Sequence, residues 1–210
     1  MIKVLVVDDS PLVRDGLKRI IAESSDMIIS DEAAEGQEIL KKIVTNCFDV
    51  ILWDIPVPLG DALDILKQLK SLKPGLPVLI LSNSPEEHYG LRFFKAGASG
   101  YMTKDIVPEE LKSAIRRVCD NKRYISSTFA EKLVSRLSAN GKDVPHGSLS
   151  DREYQIMCLI ASGKATKEIA AELSLSVKTI STYRTRILKK MKMKNNSEIT
   201  YYAVTQGILL

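Results

Sequence analysis

The chain has 210 residues, 45% hydrophobic and 27% charged, with three cysteines, two histidines and a formal net charge of +4. That balance is ordinary for a folded soluble protein and nothing in it forces disorder, and the longest apolar runs, Ile2 to Val7 and Val78 to Leu81, are strand-sized and far short of a membrane span. Cys47, Cys119 and Cys158 form no CxxC or Cys/His cluster, so free thiols in a reducing, cytoplasmic setting are expected, and His88 and His146 give a His-based zinc site or a Ser-His-Asp triad little to work with.

The N-terminus runs straight into Ile2 to Val7 without the pattern of a signal peptide. This continuous β-branched and leucine run predicts a central parallel strand buried on both faces. Ser10-Pro11 then opens a helix striped by Leu12, Val13, Leu17, Ile20 and Ile21, with Ser10 as its expected cap. Met27 to Ser30 reads as a second strand and Gly36 to Val44 as a second helix. Phe48 to Trp53 is a third strand, followed by a Pro/Gly-rich loop and a helix from about Leu63 to Leu72. Pro74-Gly75 breaks the chain before a strand at Val78 to Ser82. A helix at Glu87 to Lys95 ends at Gly97, a short strand spans Ser99 to Met102, and Pro108 starts a helix running to Cys119. Five βα units predict an open α/β parallel sheet with helices on both faces and its active crevice at the carboxyl ends of the strands.

Residues 121–147 read as a linker, with a helix over Ser126 to Leu137 and a Ser/Gly/Asn/Pro-rich stretch from Ser138 to Ser148. Beyond it the pattern is helical only. Ser150 and Glu153 make a capping box for a helix reaching Ala161. Helices at Thr166 to Leu173 and Val177 to Met191 flank Ser174-Leu175-Ser176, and Ser197 opens a last helix ending near Gly207. Four short helices with a tight turn between the second and third is a helix-turn-helix layout. Charge divides at the same place. Residues 1–146 carry 20 Lys/Arg against 21 Asp/Glu, whereas residues 147–210 carry 10 against 5. A basic module joined to a near-neutral one points to nucleic acid.

Strand ends place Asp8, Asp9 and Asp54 at the crevice, with a hydroxyl at Ser82 and an amine at Lys104. Crowded carboxylates repel, and a hard cation relieves that repulsion. Such a set suits metal-assisted phosphoryl transfer to a carboxylate, with the ammonium neutralising charge on the transferred oxygens.

These residues carry a resemblance. VLVVDD at 4–9, ILWD at 51–54, ILS at 80–82 and KAGASGYMTKD at 95–105 resemble the receiver domain of two-component response regulators. LSDRE at 149–153, IASGKATKEIAAELSLSVKTIS at 160–181 and ILKKMKMKN at 187–195 resemble the LuxR-type helix-turn-helix. The whole chain is thus similar to the NarL/FixJ subfamily, which implies a flavodoxin-like receiver at 1–120, the linker at 121–147 and an all-α four-helix DNA-binding domain at 148–210. The resemblance implies that Asp54 is the phosphoacceptor and that Asp8, Asp9, Asp54 and the backbone carbonyl of Pro56 hold Mg²⁺ (or Mn²⁺). It implies that Lys104 pairs with the phosphoryl group, and that Ser82 and Tyr101 form a switch pair drawn inward on phosphorylation, altering the surface of the fourth helix and fifth strand. The chain would not be an enzyme beyond self-phosphorylation from small donors and autodephosphorylation. Its expected partners are a sensor histidine kinase, double-stranded DNA and a second copy of itself on that DNA.

On the third helix of the basic end, Ser181, Thr182 and Thr185 are the implied base-edge positions, with Thr179 on the same face. Lys164, Lys167, Lys178, Arg184, Lys189 and Lys190 are expected on phosphates. Short hydroxyl side chains pair with more than one base edge, so sequence preference is expected to be loose. The sequence departs from the receiver pattern after the acceptor. Both usual glycine positions are filled, by Leu59 and Ala62; a left-handed backbone at Leu59 would carry about 1–3 kcal/mol of strain. Ser10 stands where His is frequent, and Tyr183 does so in the DNA-binding part. The altered loop leaves one alternative: a phosphorylation-independent regulator that uses the receiver for dimerisation or interaction.

Overall fold

A computed structural model describes residues 1–55, 61–105, 107–138 and 145–208, and the chain divides into two units, Met1–Leu133 and Val134–Leu210. The first unit is built on β1 (Ile2–Val7), β2 (Met27–Ala33), β3 (Val50–Asp54), β4 (Val78–Ser82) and β5 (Gly100–Thr103). These strands are all parallel, in the order β2-β1-β3-β4-β5. Helices α1 (Pro11–Ala22), α2 (Gly36–Thr45), α3 (Ala62–Leu72), α4 (Glu86–Ala96) and α5 (Pro108–Cys119) complete the expected βα units.

The unbroken apolar strands are explained by burial on both sides. Val4, Val6, Val50, Leu52, Leu79, Leu81 and Met102 pack in one core with Leu17 and Ile21 of α1 and Leu111, Ile115 and Val118 of α5. The alternate residues Leu5, Val7, Ile51, Trp53, Ile80 and Tyr101 face the opposite way and are equally buried. The order of strands reverses between β1 and β3, so the loops after these two strands diverge and leave a crevice at their carboxyl ends.

The second strand and the start of the first helix differ from the sequence pattern. The second strand continues to Ala33, past its polar residues, because it pairs along the whole of β1 from Ile2↔Met27 to Val7↔Ala33. A register shift at Val4/Leu5 accommodates the extra residue. As an edge strand β2 tolerates Ser30, Asp31 and Glu32, which hides its length from a search for apolar runs. Ser10 does occupy the cap position of α1, but its side chain makes no capping bond.

α6 (Ser127–Ser138) follows the sheet, and its Phe129 is buried in the first unit. The second unit holds a 3₁₀ turn at Pro145–Ser148 and helices α7 (Asp151–Ala161), α8 (Thr166–Glu172), α9 (Val177–Met191) and α10 (Asn196–Thr205). Ser150 and Glu153 form the expected capping box on α7. Residues Glu153 to Ala161 are all buried, making α7 the central element on which α9 and α10 pack. The last helix starts one residue before the expected Ser197, because the Asn195 side chain accepts from the Glu198 N–H. Among the described residues no helix is long and apolar enough to cross a membrane.

Gly100 opens β5 where space is short: a Cβ there would stand 2.6 Å from Leu79 Cδ1 and 3.0 Å from Tyr124 Cβ. Gly100→Ala is therefore expected to destabilise the first unit by about 1–3 kcal/mol. Urea denaturation followed by Trp53 fluorescence checks this, and an unchanged midpoint would contradict the packing.

Candidate functional site

β1 and β3 deliver their terminal acids to one point. Asp8 and Asp9 leave β1, Asp54 ends β3, and ligand oxygens of the three lie within 4.8 Å of one another. Asp8 is buried and Asp9 exposed. The chain clamps Asp8 on two sides. Its Oδ1 accepts from the Ser10 N–H at 2.7 Å, and its main-chain carbonyl accepts from the Arg14 guanidinium at 2.6 Å. Arg14 is held in turn by Glu32 of β2 at 3.0 Å. Ser10 is thus tied to Asp8 through its backbone N–H.

Lys104 reaches back from the end of β5, its Nζ 2.8 Å from Asp54 Oδ2 and 3.6 Å from Asp8 Oδ2. One ammonium does not satisfy this many oxygens. Asp8 Oδ2 and Asp54 Oδ1 are buried without a hydrogen-bond partner among the described residues. Burial pushes the Asp54 carboxyl up to about 6; Lys104 opposes that rise and the Asp8 charge adds to it. Buried, unpartnered carboxylate oxygens converging on one point are the donor set of a divalent-cation site. The group can hold such a cation.

Ser82, at the end of β4, is buried. Its Oγ donates to the Ile55 carbonyl at 3.4 Å and accepts from the Ser84 N–H at 3.2 Å. The Tyr101 ring is fully buried, its hydroxyl donating to the Ser84 carbonyl at 2.9 Å. Burial raises the phenol well above its usual range, an effect the Ser82 hydroxyl opposes. Ser82 and Tyr101 thus share Ser84 as an intermediary, and the ring is already inward in this structure. Pro56 and the loop from Val57 to Gly60 lie outside the described residues. Ala62 is the buried first residue of α3, and it is not among the residues of positive φ, so the filled glycine position there brings no left-handed strain.

In the second unit, α9 carries five cationic residues and no acid. Lys178, Ser181, Thr182, Thr185 and Lys189 are exposed on it, and Thr179 is half-buried beside the Ser176 cap. Ser181, Thr182 and Thr185 each donate a hydroxyl to the carbonyl four residues earlier, leaving their oxygen lone pairs outward as acceptors. Three of the expected cations are otherwise engaged. Lys164 pairs with Glu172, Arg184 Nε donates to Asn196 at 2.6 Å, and Lys190 is 2.6 Å from the buried Glu153. Lys167, Lys178 and Lys189 have no such partner among the described residues.

Comparison with known proteins fits this geometry. Residues 4–116 match the response regulator receiver domain, and residues 147–203 match the bacterial regulatory proteins of the luxR family. The chain is 34% identical to response regulator UvrY of Escherichia coli K12 over 99% of its own length and 96% of that protein. It is 37% identical to response regulator GacA of Pseudomonas aeruginosa, covering 100% of this chain and 98% of that one. The chain belongs to the response regulators of receiver–LuxR type. Among solved structures, response regulator ChrA of a heme-sensing two-component system is 29% identical, with a TM-score of 0.53 over 99% of this chain and 98% of that chain. RcsB of Salmonella enterica serovar Typhimurium bound to promoter rprA shares the fold, with a TM-score of 0.70 at 21% identity over 96% of this chain and 98% of that chain.

Sequence patterns had not singled out Arg14, Ser84 or Arg186 in this response regulator. Arg14 and Ser84 act through main-chain carbonyls, which leave no trace in residue type. Arg186 was legible: it lies four residues after Thr182 and, with Lys178, Thr179, Thr182 and Tyr183, lines a groove of about 300 Å³.

A raised acid pKa means that the folded state binds the proton more tightly than the unfolded state. For Asp54 this stabilisation is greatest below about 3.8 and is lost as pH rises toward about 6. Ionised Asp54 therefore costs the metal-free response regulator stability at neutral pH. Asp54→Asn is expected to raise stability in EDTA by about 1–2 kcal/mol at pH 7, with the difference vanishing near pH 4. Thermal melts across that range check the sign; a destabilised variant at pH 7 would contradict it.

Proposed function

We propose that this chain is a cytoplasmic transcription regulator switched by phosphorylation of Asp54, with a sensor histidine kinase as donor and double-stranded DNA as target. One observation carries the reading: Lys104 holds Asp54 Oδ2 at 2.8 Å while Asp54 Oδ1 stays unpartnered beside Asp8. A carboxylate oxygen of Asp54 is then the attacking atom, held at the strand end by Lys104. An Asp54 oxygen–phosphorus bond forms as the bond from phosphorus to the donor's histidine nitrogen breaks, its electron pair leaving with the donor. Lys104 balances charge on the transferred oxygens, and Ser82 donates its hydroxyl to one of them on giving up the long bond to Ile55.

Asp8, Asp9, Asp54 and the Pro56 carbonyl would hold Mg²⁺ or Mn²⁺, which supplies charge neutralisation between attacking and leaving groups. Arg14 keeps Asp8 in place without touching the reacting atoms. The retained acids and Lys104 favour this reading over a phosphorylation-independent regulator. We assign the receiver to residues 1–120, the linker to 121–147 and the DNA-binding domain to 148–210.

On the DNA side, α9 enters the major groove with Ser181, Thr182 and Thr185 toward base edges, and Lys167, Lys178 and Lys189 on phosphates. Arg186 joins them. Lys190 supports the unit through Glu153 instead, and Lys164 and Arg184 reach DNA only by exchanging a present partner. One such helix covers few base pairs, so a homodimer on two half-sites is the binding form.

Acetyl phosphate with Mg²⁺ is expected to add one phosphoryl group to the wild type and none to Asp54→Asn, read by intact mass. An unmodified wild type would sink the assignment. Lys178→Ala and Arg186→Ala should each reduce the slope of log affinity against log salt by about one. Lys190→Ala should leave that slope unchanged and lower stability by up to about 1 kcal/mol, because Glu153 keeps the Ser150 N–H but loses its charged partner. Fluorescence anisotropy titrations and thermal melts separate the two classes of lysine.

A further inference from the structure

The surface of α4, β5 and α5 is not bare in this chain. Residues Tyr124 to Phe129, the start of the linker, lie on it through contacts of four kinds. Tyr124 extends the sheet edge, its N–H donating to the Ser99 carbonyl at 2.9 Å and its backbone bridging Gly100. The Tyr124 hydroxyl donates to Glu110 of α5. Ser126, which caps α6 by accepting from the Phe129 N–H at 3.2 Å, donates its hydroxyl to Glu86, the first residue of α4. Phe129 is 2% exposed and stacks on Phe94, with ring centroids 6.2 Å apart and planes 16° apart.

The seat for this ring is a glycine. A Cβ on Gly90 would stand 3.2 and 3.3 Å from two Phe129 ring carbons, tighter than ordinary contact, so a side chain there would press the ring off its place by a few tenths of an ångström. Gly90 is in mid-helix, where glycine is unfavourable relative to alanine, and α4 accepts that penalty at the point where the linker touches it.

The path from the acidic crevice to this seat is short. Ser82 Oγ accepts from Ser84 N–H, Tyr101 donates to the Ser84 carbonyl, and two residues later Glu86 holds Ser126. A second path runs from Tyr101 to Phe93, 5.9 Å between ring centroids, beside Phe94 under Phe129. A Ser82 hydroxyl recruited to a phosphoryl oxygen releases Ile55 and rotates away from Ser84, which shifts the turn that starts α4. Hydrogen bonds and ring stacking at this range do not follow an ångström-scale displacement.

We propose that the α4–β5–α5 face is a docking surface for the chain's own linker, Tyr124–Phe129, with Gly90 as its seat, and that phosphorylation of Asp54 undocks the linker. The coupling rests on the reading of Asp54 as phosphoacceptor. Docked, the strap occupies the face that would otherwise receive a second copy or another protein. Undocked, it frees that face and lengthens the tether to the second unit.

Hydrogen-exchange mass spectrometry on the full chain tests this, with beryllofluoride and Mg²⁺ as the probe. Trp53 fluorescence, from the chain's one tryptophan, adjacent to Asp54, reports loading independently, and Asp54→Asn is the unloaded control. Loading should speed exchange over 124–133 by about tenfold, with no change in the control. Gly90→Ala should speed the same segment without beryllofluoride, while the melting temperature of the first unit holds or rises because alanine favours α4. That pairing of a firmer helix with a looser linker distinguishes docking from general destabilisation. Loading seen at Trp53 with unchanged or slower exchange over 124–133 would overturn the coupling. Unchanged exchange in Gly90→Ala would overturn the docking seat. No loading of the wild type would overturn the Asp54 assignment and the coupling that rests on it.

Discussion

Repulsion among three carboxylates is the constraint around which the first unit is arranged. Asp8, Asp9 and Asp54 bring ligand oxygens within 4.8 Å because parallel strands β1 and β3 end side by side. Two of those oxygens are buried without a hydrogen-bond partner among the described residues, and Lys104 is the ammonium that answers them. An arrangement of this kind is unstable in isolation. It persists because the sheet beneath, buried on both faces, supplies the stability. Val7, Trp53 and Leu81 are each nearly inaccessible to water, and the acids sit at the ends of strands that cannot shift without exposing such side chains.

The same constraint explains the residues around the acids. Arg14 spans the Asp8 carbonyl and Glu32, tying β1, α1 and β2 together so that the Asp8 main chain does not relax away from its neighbours. Ser82, Ser84 and Tyr101 form a second, uncharged layer on the β4–β5 side, joined through hydroxyls and the Ser84 main chain.

The basic unit solves a different problem. Its stability comes from α7, buried along Glu153 to Ala161, and from the Glu153–Lys190 pair that joins the capping box to α9. Since α9 has cations on several sides, packing decides which of them are free. Lys190 is used inward. Lys178, Lys189 and Arg186 are exposed on the same helix. Charge count alone does not make that distinction, because the side-chain partners of Lys190 and Arg184 come from α7 and α10.

Elements with strong local signals were legible without a structure. The strands β1, β3 and β4 show as apolar runs, the α7 capping box as Ser150 and Glu153, and the helix-turn-helix as helical stripes around a serine-rich turn. Asp8, Asp9, Asp54 and Lys104 were legible as well, since a parallel sheet puts its chemistry at strand ends, and strand ends can be counted along the chain. Tertiary structure decided the rest. The length of β2 depended on pairing with β1. The orientation of Ser10 depended on the buried Asp8, the partner of Lys190 on the fold of α7, and the seat of Phe129 on a glycine 39 positions earlier in the chain. Local sequence determines what a segment can do through its own hydrogen bonds and periodicity. Which carbonyl an arginine grips, which lysine is neutralised and where a linker lies depend on surfaces made by residues far apart in sequence, and those surfaces exist only once the core has closed.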